Sequence, residues 1–265
     1  MEKRRKAKKR FSALTSFLLA LALLAGTLGA LPAECFAAQP EKAAFHSTYG
    51  FRLGSSAKME LQFRDKLEKN YKVNGNTYYG SQTDLSRQLR DQMVKRSDQV
   101  VLRLATDRRG LTGRSNSAAQ AREELFFGLL NDATSQRNSV SARDGDYLRW
   151  QLGSVSGVLY ADGSKNGVYY YRVIYYGLGY YTTAAEEQWV DRYVQKYVRR
   201  VDRNKMSDYD LAKKVHDDVC RATVYDMEMD SRYDDYDFSA YGCLYVGRCV
   251  CQGYALAYYR LCRGL

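Results

Sequence analysis

The chain has 265 residues, of which 45% are hydrophobic, 27% charged and 13% aromatic. This composition suits one or two packed domains and excludes a wholly disordered or collagen-like polymer. The formal net charge of +11 alone would favour a nucleic acid or another acidic partner. Residues 1–37, however, hold seven basic and two acidic residues and so account for 5 of these 11 charges. Because no nucleic-acid recognition motif accompanies the remaining charge, we predict no nucleic-acid partner.

Residues 1–37 have the three-part pattern of a secretory signal peptide. A basic stretch over 1–10 precedes an apolar stretch over 14–31, and the small residue Ala37 ends a cleavage site. We therefore predict a secreted or extracytoplasmic protein whose mature chain starts directly after Ala37. The apolar stretch is 18 residues long, so an uncleaved membrane anchor stays open as the alternative. In both cases only this segment is expected to contact a membrane.

The region over 38–182 is predicted to be a variable N-terminal part that contains both helices and strands. Apolar residues four apart, such as Leu85, Leu89 and Met93, predict amphipathic helices, and a short apolar run predicts a buried strand. In chain order the predicted elements are a helix over 58–70, a helix over 84–97, a strand over 100–104, a loop over 107–118 and a helix over 121–133.

Residues 148–181 predict a Tyr-rich β-hairpin. β-branched and aromatic residues dominate both halves of this segment, and two turn-forming dipeptides, Asp162-Gly163 and Asn166-Gly167, lie between them. Exposed tyrosines can stack on carbohydrate or nucleic-acid rings, but aromatic residues on strands more often pack a sheet face. We favour packing and draw no function from the tyrosines.

Two further helices are predicted after the hairpin. Thr183 and Glu186 form a capping-box pattern at the start of the first, and Ser207 precedes the second. Apolar residues at a spacing of four are expected to face the core in both helices. They are Trp189, Tyr193, Tyr197 and Val201 in the first helix and Leu211, Val215 and Val219 in the second.

The cysteines point to thiol chemistry. Loss of Cys35 with the signal segment would leave five, all within the last 46 residues, and an odd number cannot all pair internally. Disulfide scaffolds are usually small and spread their cysteines along the chain, so we favour a free reactive thiol over a buried thiol pair with one disulfide. The cysteines lack the C-x2-C spacing of a tetrahedral thiolate site, and we predict no metal and no cofactor. Cys220 and Cys262 are expected in the core.

The segment GRCVCQGYA places a thiol at the start of a helix predicted over 252–262. Unpaired backbone N–H groups and the positive end of the helix dipole favour a thiolate at Cys251. Gly253 would let another backbone approach the first turn, and Tyr254 would help to anchor the helix. Cys249 is either a small buried residue, which we favour, or a thiol that traps an oxidised Cys251.

The motifs KVHDDVCRATVYD, YGCLYVGR and VCQGYA resemble the transglutaminase-like superfamily, a papain-related group with a nucleophilic cysteine at the start of a buried helix. The resemblance covers residues 183–265 and implies the helical front half of a papain-like domain, hence an α+β chain. It implies that Cys251 attacks an amide carbonyl to form a thioester, with its backbone N–H as oxyanion donor. Gln252, Gly253 and Tyr254 would shape the site. The acyl group would pass to an amine or to water, so the implied partner is a protein or peptide, cell-wall proteins included.

The catalytic His and Asp of that superfamily follow the cysteine, whereas this sequence ends 14 residues after Cys251. The resemblance therefore predicts a fragment with a signal segment (1–37), a variable region (38–182) and an incomplete transglutaminase-like domain (183–265). His216 is expected on a surface or boundary rather than in catalysis. The alternative function is a noncatalytic cell-surface binding or structural module that keeps the fold without the triad.

Overall fold

The structure is a computed structural model that describes the backbone of residues 42–48 and residues 67, 69–135, 141–227 and 234–265. The signal segment and nearly all of the helix predicted over 58–70 lie outside these residues. Within 40–265, the described residues belong to one compact unit. The division at residue 182 stays a prediction.

The fold is α+β, as predicted. Six strands of the described chain form one mixed sheet in the order β1-β5-β6-β4-β3-β2, in which β3 and β4 are parallel and every other neighbouring pair is antiparallel. Two short strands, β7 and β8, pair in parallel elsewhere. The strands are β1 (Lys42–Thr48), β2 (Asn70–Val73), β3 (Asn76–Tyr79), β4 (Gln99–Thr106), β5 (Leu152–Lys165), β6 (Val168–Tyr180), β7 (Val224–Tyr225) and β8 (Arg248–Cys249).

The predicted Tyr-rich hairpin is confirmed as β5 and β6. Its turn is Asn166-Gly167, where both residues have a positive φ, of 52° and 77°, as a two-residue hairpin turn requires. The other candidate dipeptide, at 162–163, lies within β5 at a break in register. Tyr171 and Tyr175 are buried in the sheet core, so the packing interpretation is confirmed for these two tyrosines.

The hairpin of β2 and β3 was not predicted, although the sequence carries its signal. Asn74 and Gly75 form the turn with positive φ values of 48° and 77°. Residue 70, which the prediction gave to a helix, begins β2 instead, and that end of the predicted helix is wrong. The prediction followed the four-residue spacing of apolar side chains up to residue 70. It did not use the Asn-Gly dipeptide, which indicates a hairpin turn with a strand on either side.

Three of the helices begin after a serine or threonine that caps them with its side chain. Ser81 caps the first with its side chain, Thr183 and Glu186 complete the predicted capping box, and Ser207 caps its helix as predicted. No helix among the described residues is long and apolar enough to cross a membrane. The helices are α1 (Gln82–Val94), α2 (Asn116–Ser135), α3 (Asp146–Trp150), α4 (Ala184–Val198), α5 (Asp208–Ala222), α6 (Asp234–Asp237) and α7 (Cys251–Gly264), with a 3-10 turn (Arg203–Lys205) and a π-turn (Gly242–Val246).

The buried apolar residues form two main clusters. The sheet cluster joins α1 and α2 to the sheet, and the helix cluster joins α4, α5 and α7. On α4 the buried positions are Glu187, Val190 and Val194, and the two valines lie one position after residues of the predicted stripe. The predicted aromatic residues of that stripe, including Trp189, are only partly buried and pack along the edge of the helix cluster. Val190 and Val194 repeat at the same spacing of four, so the spacing alone did not distinguish two adjacent apolar stripes.

Buried charges join the two clusters at Glu187. Its carboxylate is fully buried and lies 3.3 Å from the Arg96 guanidinium and 3.2 Å from that of Arg260. The Tyr147 hydroxyl donates to both carboxylate oxygens, at 3.0 and 2.9 Å. Burial, followed by the neighbouring Glu187 carboxylate, raises the pKa of Tyr147, so its hydroxyl keeps its proton. Because the charge has two cations and a donor around it, its burial is compensated.

Candidate cysteine site

Cys251 is exposed and is the first residue of α7. The chain reaches this position through Gly247, whose φ of +76° turns it into β8. Backbone bonds then fix the approach, because Asp226 N–H donates to the Cys249 carbonyl at 3.0 Å and Val250 N–H donates to the Asp237 carbonyl at 3.0 Å. Val250 precedes the helix and makes no side-chain capping bond. The first turn of α7 therefore presents N–H groups that no capping side chain occupies, beside an accessible thiol.

Gly253 packs where no side chain fits, as the sequence predicts. A Cβ at this position would lie 2.5 Å from the Cys249 Cβ, 2.8 Å from the Cys249 Sγ and 2.8 Å from the Asp237 carbonyl oxygen. These distances are far below van der Waals contact. The glycine thus lets the first turn of α7 pack closely against the segment that precedes it. This packing fixes the position of Cys251.

Gln252 anchors the first turn of α7 to two other segments. Its side-chain amide donates to the Trp150 carbonyl at 2.7 Å and to the Phe238 carbonyl at 3.0 Å. Both N–H bonds of this amide are therefore engaged with protein. Gln252 shapes the site by fixing the helix start, and an oxyanion would have to be bound by backbone N–H groups.

Tyr254 forms one wall beside Cys251. Its hydroxyl donates to the Thr223 carbonyl at 3.1 Å, and its ring stacks on Tyr225 with 6.1 Å between centroids. Burial is the largest cause that raises the pKa of Tyr254. The hydroxyl is thus neutral and engaged, and the side chain offers the cavity an aromatic ring face rather than a free donor.

A cavity of about 420 Å³ opens beside the thiol. Most of the groups around it are apolar or aromatic, and it lies between α5, β7 and α7. Two thiols and one imidazole also reach it. Its lining residues are His216, Val219, Cys220, Tyr225, Cys251, Tyr254, Ala255 and Tyr258.

His216 lies on the surface, as expected, with 67% of its side chain exposed. Its Nδ1 is 3.1 Å from Asp217 Oδ1, and because a carboxylate only accepts, Nδ1 carries the proton. Hydrogen bonds from Lys213 and His216 are the main causes that lower the pKa of Asp217 to about 2, so this carboxylate is ionised at neutral pH. The other ring nitrogen, Nε2, lies 3.7 Å from the Cys220 sulfur.

Cys220 is exposed, so its predicted place in the core is wrong. Its neighbour Val219 is buried instead, and the α5 surface turns outward between the two residues. Cysteine is short and weakly apolar, so the helical pattern alone does not show whether a cysteine at the edge of the apolar face is buried or exposed. No sequence signal predicted that Cys220, His216 and Cys251 would line one cavity. Cys251 lies 31 or more positions from the other two residues, and only the packing of α5 on α7 brings it near them.

Cys249 is fully buried, and its interpretation as a small buried residue is confirmed. Its sulfur lies 3.8 Å from the Thr223 hydroxyl and makes a hydrogen bond with the Cys243 thiol, which is buried too. That hydrogen bond, followed by burial, raises the pKa of Cys243. The predicted core position of Cys262 is met in part, since this residue is half-buried. Among the described residues, no three His, Cys, Asp or Glu side chains are grouped to hold a metal ion.

No protein-family model, curated protein or solved structure matches the chain. The resemblance to the transglutaminase-like superfamily therefore rests on the motif residues themselves, and it stays a prediction.

Proposed function

We propose that the chain carries the nucleophile of an exported transglutaminase-like protein and that Cys251 forms a thioester with a protein or peptide substrate. The observation that carries this proposal is the exposed thiol at the first residue of α7, at the mouth of a cavity. The acyl group then passes to an amine, which crosslinks two partners, or to water, which hydrolyses the substrate.

The position of the thiol suits attack on a carbonyl. A helix N-terminus stabilises an anion, which favours the nucleophilic thiolate. The negative oxygen of the tetrahedral intermediate would form next to the same N–H groups, and the backbone N–H of Cys251 is the proposed donor. Because Gly253 and Gln252 fix the turn, these donors are preorganised before the substrate binds.

The cavity indicates which part of the substrate lies next to Cys251. Its walls include Val219, Tyr225, Tyr254 and Tyr258, and the Tyr254 hydroxyl is already engaged. Apolar and aromatic walls favour apolar groups of the acyl donor. We therefore propose a substrate with an apolar side chain or backbone face near the reacting carbonyl, presented by an extracellular protein or peptide.

A reactive ester tests the nucleophile without requiring general acid catalysis. The full chain is incubated at neutral pH with a p-nitrophenyl ester of an N-acylated phenylalanine, and the intact mass and tryptic map are recorded. We expect one acyl group on Cys251 and none in Cys251→Ser. Cys220→Ser is the matched control because it removes the other exposed cysteine of the cavity, and it should be acylated like the wild type.

Addition of a primary amine distinguishes the two outcomes of acyl transfer. Amide product would support crosslinking, whereas free acid alone would support hydrolysis. If the ester acylates Cys251 no faster than it acylates free cysteine, the nucleophile proposal fails. The noncatalytic surface module, which keeps the same fold, would then be the better description.

A further inference from the structure

A second accessible thiol faces the cavity and lies against a base. Cys220 Sγ is 3.7 Å from His216 Nε2, and His216 Nδ1 is held by Asp217 at 3.1 Å. In the neutral imidazole, Nε2 is then the nitrogen without a proton and can accept the thiol proton. Cys220 and Cys251 are both exposed, and both line the cavity.

We propose that Cys220 and Cys251 form an oxidisable dithiol site, in which a peroxide converts the two thiols into a Cys220–Cys251 disulfide. The site shares its Cys251 thiol with the proposed acyl transfer, but it does not depend on that reaction. A peroxide is small enough for the cavity of about 420 Å³.

The two thiols have different roles because they occupy opposite ends of their helices. Cys251 begins α7, where the helix dipole favours an anion, so it attacks the peroxide. Cys220 lies in the last turn of α5, where the dipole disfavours an anion. Cys220 therefore attacks second, and His216 is the base in contact with it.

The chemistry consists of two displacements. The Cys251 thiolate attacks one peroxide oxygen, an S–O bond forms, the O–O bond breaks, and the leaving alkoxide or hydroxide takes up a proton from solvent. Cys220 then gives its proton to His216 Nε2 and attacks the sulfur of the Cys251 sulfenic acid. The S–S bond forms, the S–O bond breaks, and the leaving hydroxide takes the proton from His216 to give water. In total, the two thiols lose two electrons to one peroxide.

The buried cysteines do not compete for this role. Cys249 is fully buried, contacts Thr223 and Cys243, and is absent from the cavity lining. Helices α5 and α7 pack against each other, and Cys220 and Cys251, but not Cys249, line the cavity beside them.

Tryptic mapping of the full chain tests the proposal. The reduced protein is treated with one equivalent of hydrogen peroxide, alkylated and digested without reductant. Trypsin separates Cys220 in peptide 215–221 from Cys251 in peptide 249–260, whereas Cys243 lies in peptide 233–248. We expect peptides 215–221 and 249–260 to be joined. Because the second also contains Cys249, the joined pair must persist in Cys249→Ser and disappear in Cys251→Ser.

Two variants test the separate roles. Cys220→Ser should stop at the sulfenic acid of Cys251, which dimedone labels, and it should still be acylated by the phenylalanine ester. His216→Gln should slow disulfide formation about a hundredfold or more, a typical loss for a missing base, with little effect on the first oxidation.

Other outcomes overturn the proposal. A disulfide that joins peptides 233–248 and 249–260, a bond within peptide 249–260, or a bond between two chains would each show that Cys220 is not the second thiol. An unchanged rate of disulfide formation in His216→Gln would show that His216 is not the base. If Cys220→Ser is acylated normally while the wild type forms no Cys220–Cys251 bond, this inference fails and the proposed acyl transfer stands.

Discussion

The sheet half (69–181) and the helical half (183–265) use their polar side chains differently. In the sheet half, hydroxyl groups of buried tyrosines are tied to the protein, as in Tyr175, which donates to the Phe126 carbonyl at 2.8 Å. In the helical half, two thiols and the His216 imidazole remain accessible around one cavity, above a buried thiol pair. The accessible thiols and the imidazole therefore lie in the helical half, where the proposed acyl transfer would take place. Glu187 and its two arginines join the halves.

Among the variants that test this difference between the halves, Glu187→Ala is expected to lower the free energy of unfolding most. The substitution leaves the buried Arg96 and Arg260 without their shared carboxylate, and we expect a loss of about 3–5 kcal/mol in the free energy of unfolding. Urea denaturation followed by circular dichroism measures it. The neighbouring Glu186→Ala is the control, since it removes a partly exposed capping-box side chain, which also accepts from the Tyr236 hydroxyl at 2.9 Å, at a cost of about 1 kcal/mol. Equal losses in the two variants would show that Glu187 does not join the halves.

Gly253→Ala is expected to have the next largest effect and to act mainly on the helical half. The added methyl would overlap the Cys249 side chain and the Asp237 carbonyl oxygen. We expect a loss of about 1–3 kcal/mol in unfolding free energy, together with slower labelling of Cys251. A variant as stable as the wild type would contradict the close packing beneath the first turn of α7.

Tyr254→Phe removes one hydrogen bond from the wall of the cavity and should have a smaller effect. The lost bond to the Thr223 carbonyl is expected to cost about 1 kcal/mol of unfolding free energy. The ring remains, so acylation of Cys251 should change little. Complete loss of acylation in a folded Tyr254→Phe protein would show that the hydroxyl acts on the substrate rather than on the wall.

Titration of Asp217 should have the smallest effect on stability. Its pKa is lowered to about 2, so the stabilising interactions of its ionised form are complete above its usual titration range and are lost as the pH falls towards 2. Exposure and salt screen these interactions, and thermal unfolding should change little. NMR titration should show the midpoint near 2 and a higher midpoint in Lys213→Ala. An unchanged midpoint would exclude Lys213 as a cause.

Local signals predicted much of this structure. The capping box at Thr183, the cap at Ser207, the Asn166-Gly167 turn and the helix start at Cys251 all depend on neighbouring residues, and each is confirmed. Each of these features is determined by interactions between residues a few positions apart, so it can be predicted from the local sequence.

Features that depend on packing between distant segments were not predictable in the same way. The buried Glu187 requires Arg96 and Arg260, which lie 91 and 73 residues from it in the sequence. The shared cavity requires α5 to pack on α7 with Cys220 outward. Periodicity identifies an apolar face, but it does not show which polar groups meet across it.

The most direct test of the central claim compares the labelling rates of the five described cysteines in one native protein. Iodoacetamide is added at pH 7, and the alkylated tryptic peptides are measured over time. We expect Cys251 to react first, faster than Cys220, which is exposed too, and faster than free cysteine, while Cys243 and Cys249 react only after unfolding. If Cys251 reacts no faster than Cys220 or free cysteine, its helix N-terminus does not activate the thiol, and the proposed nucleophile is contradicted.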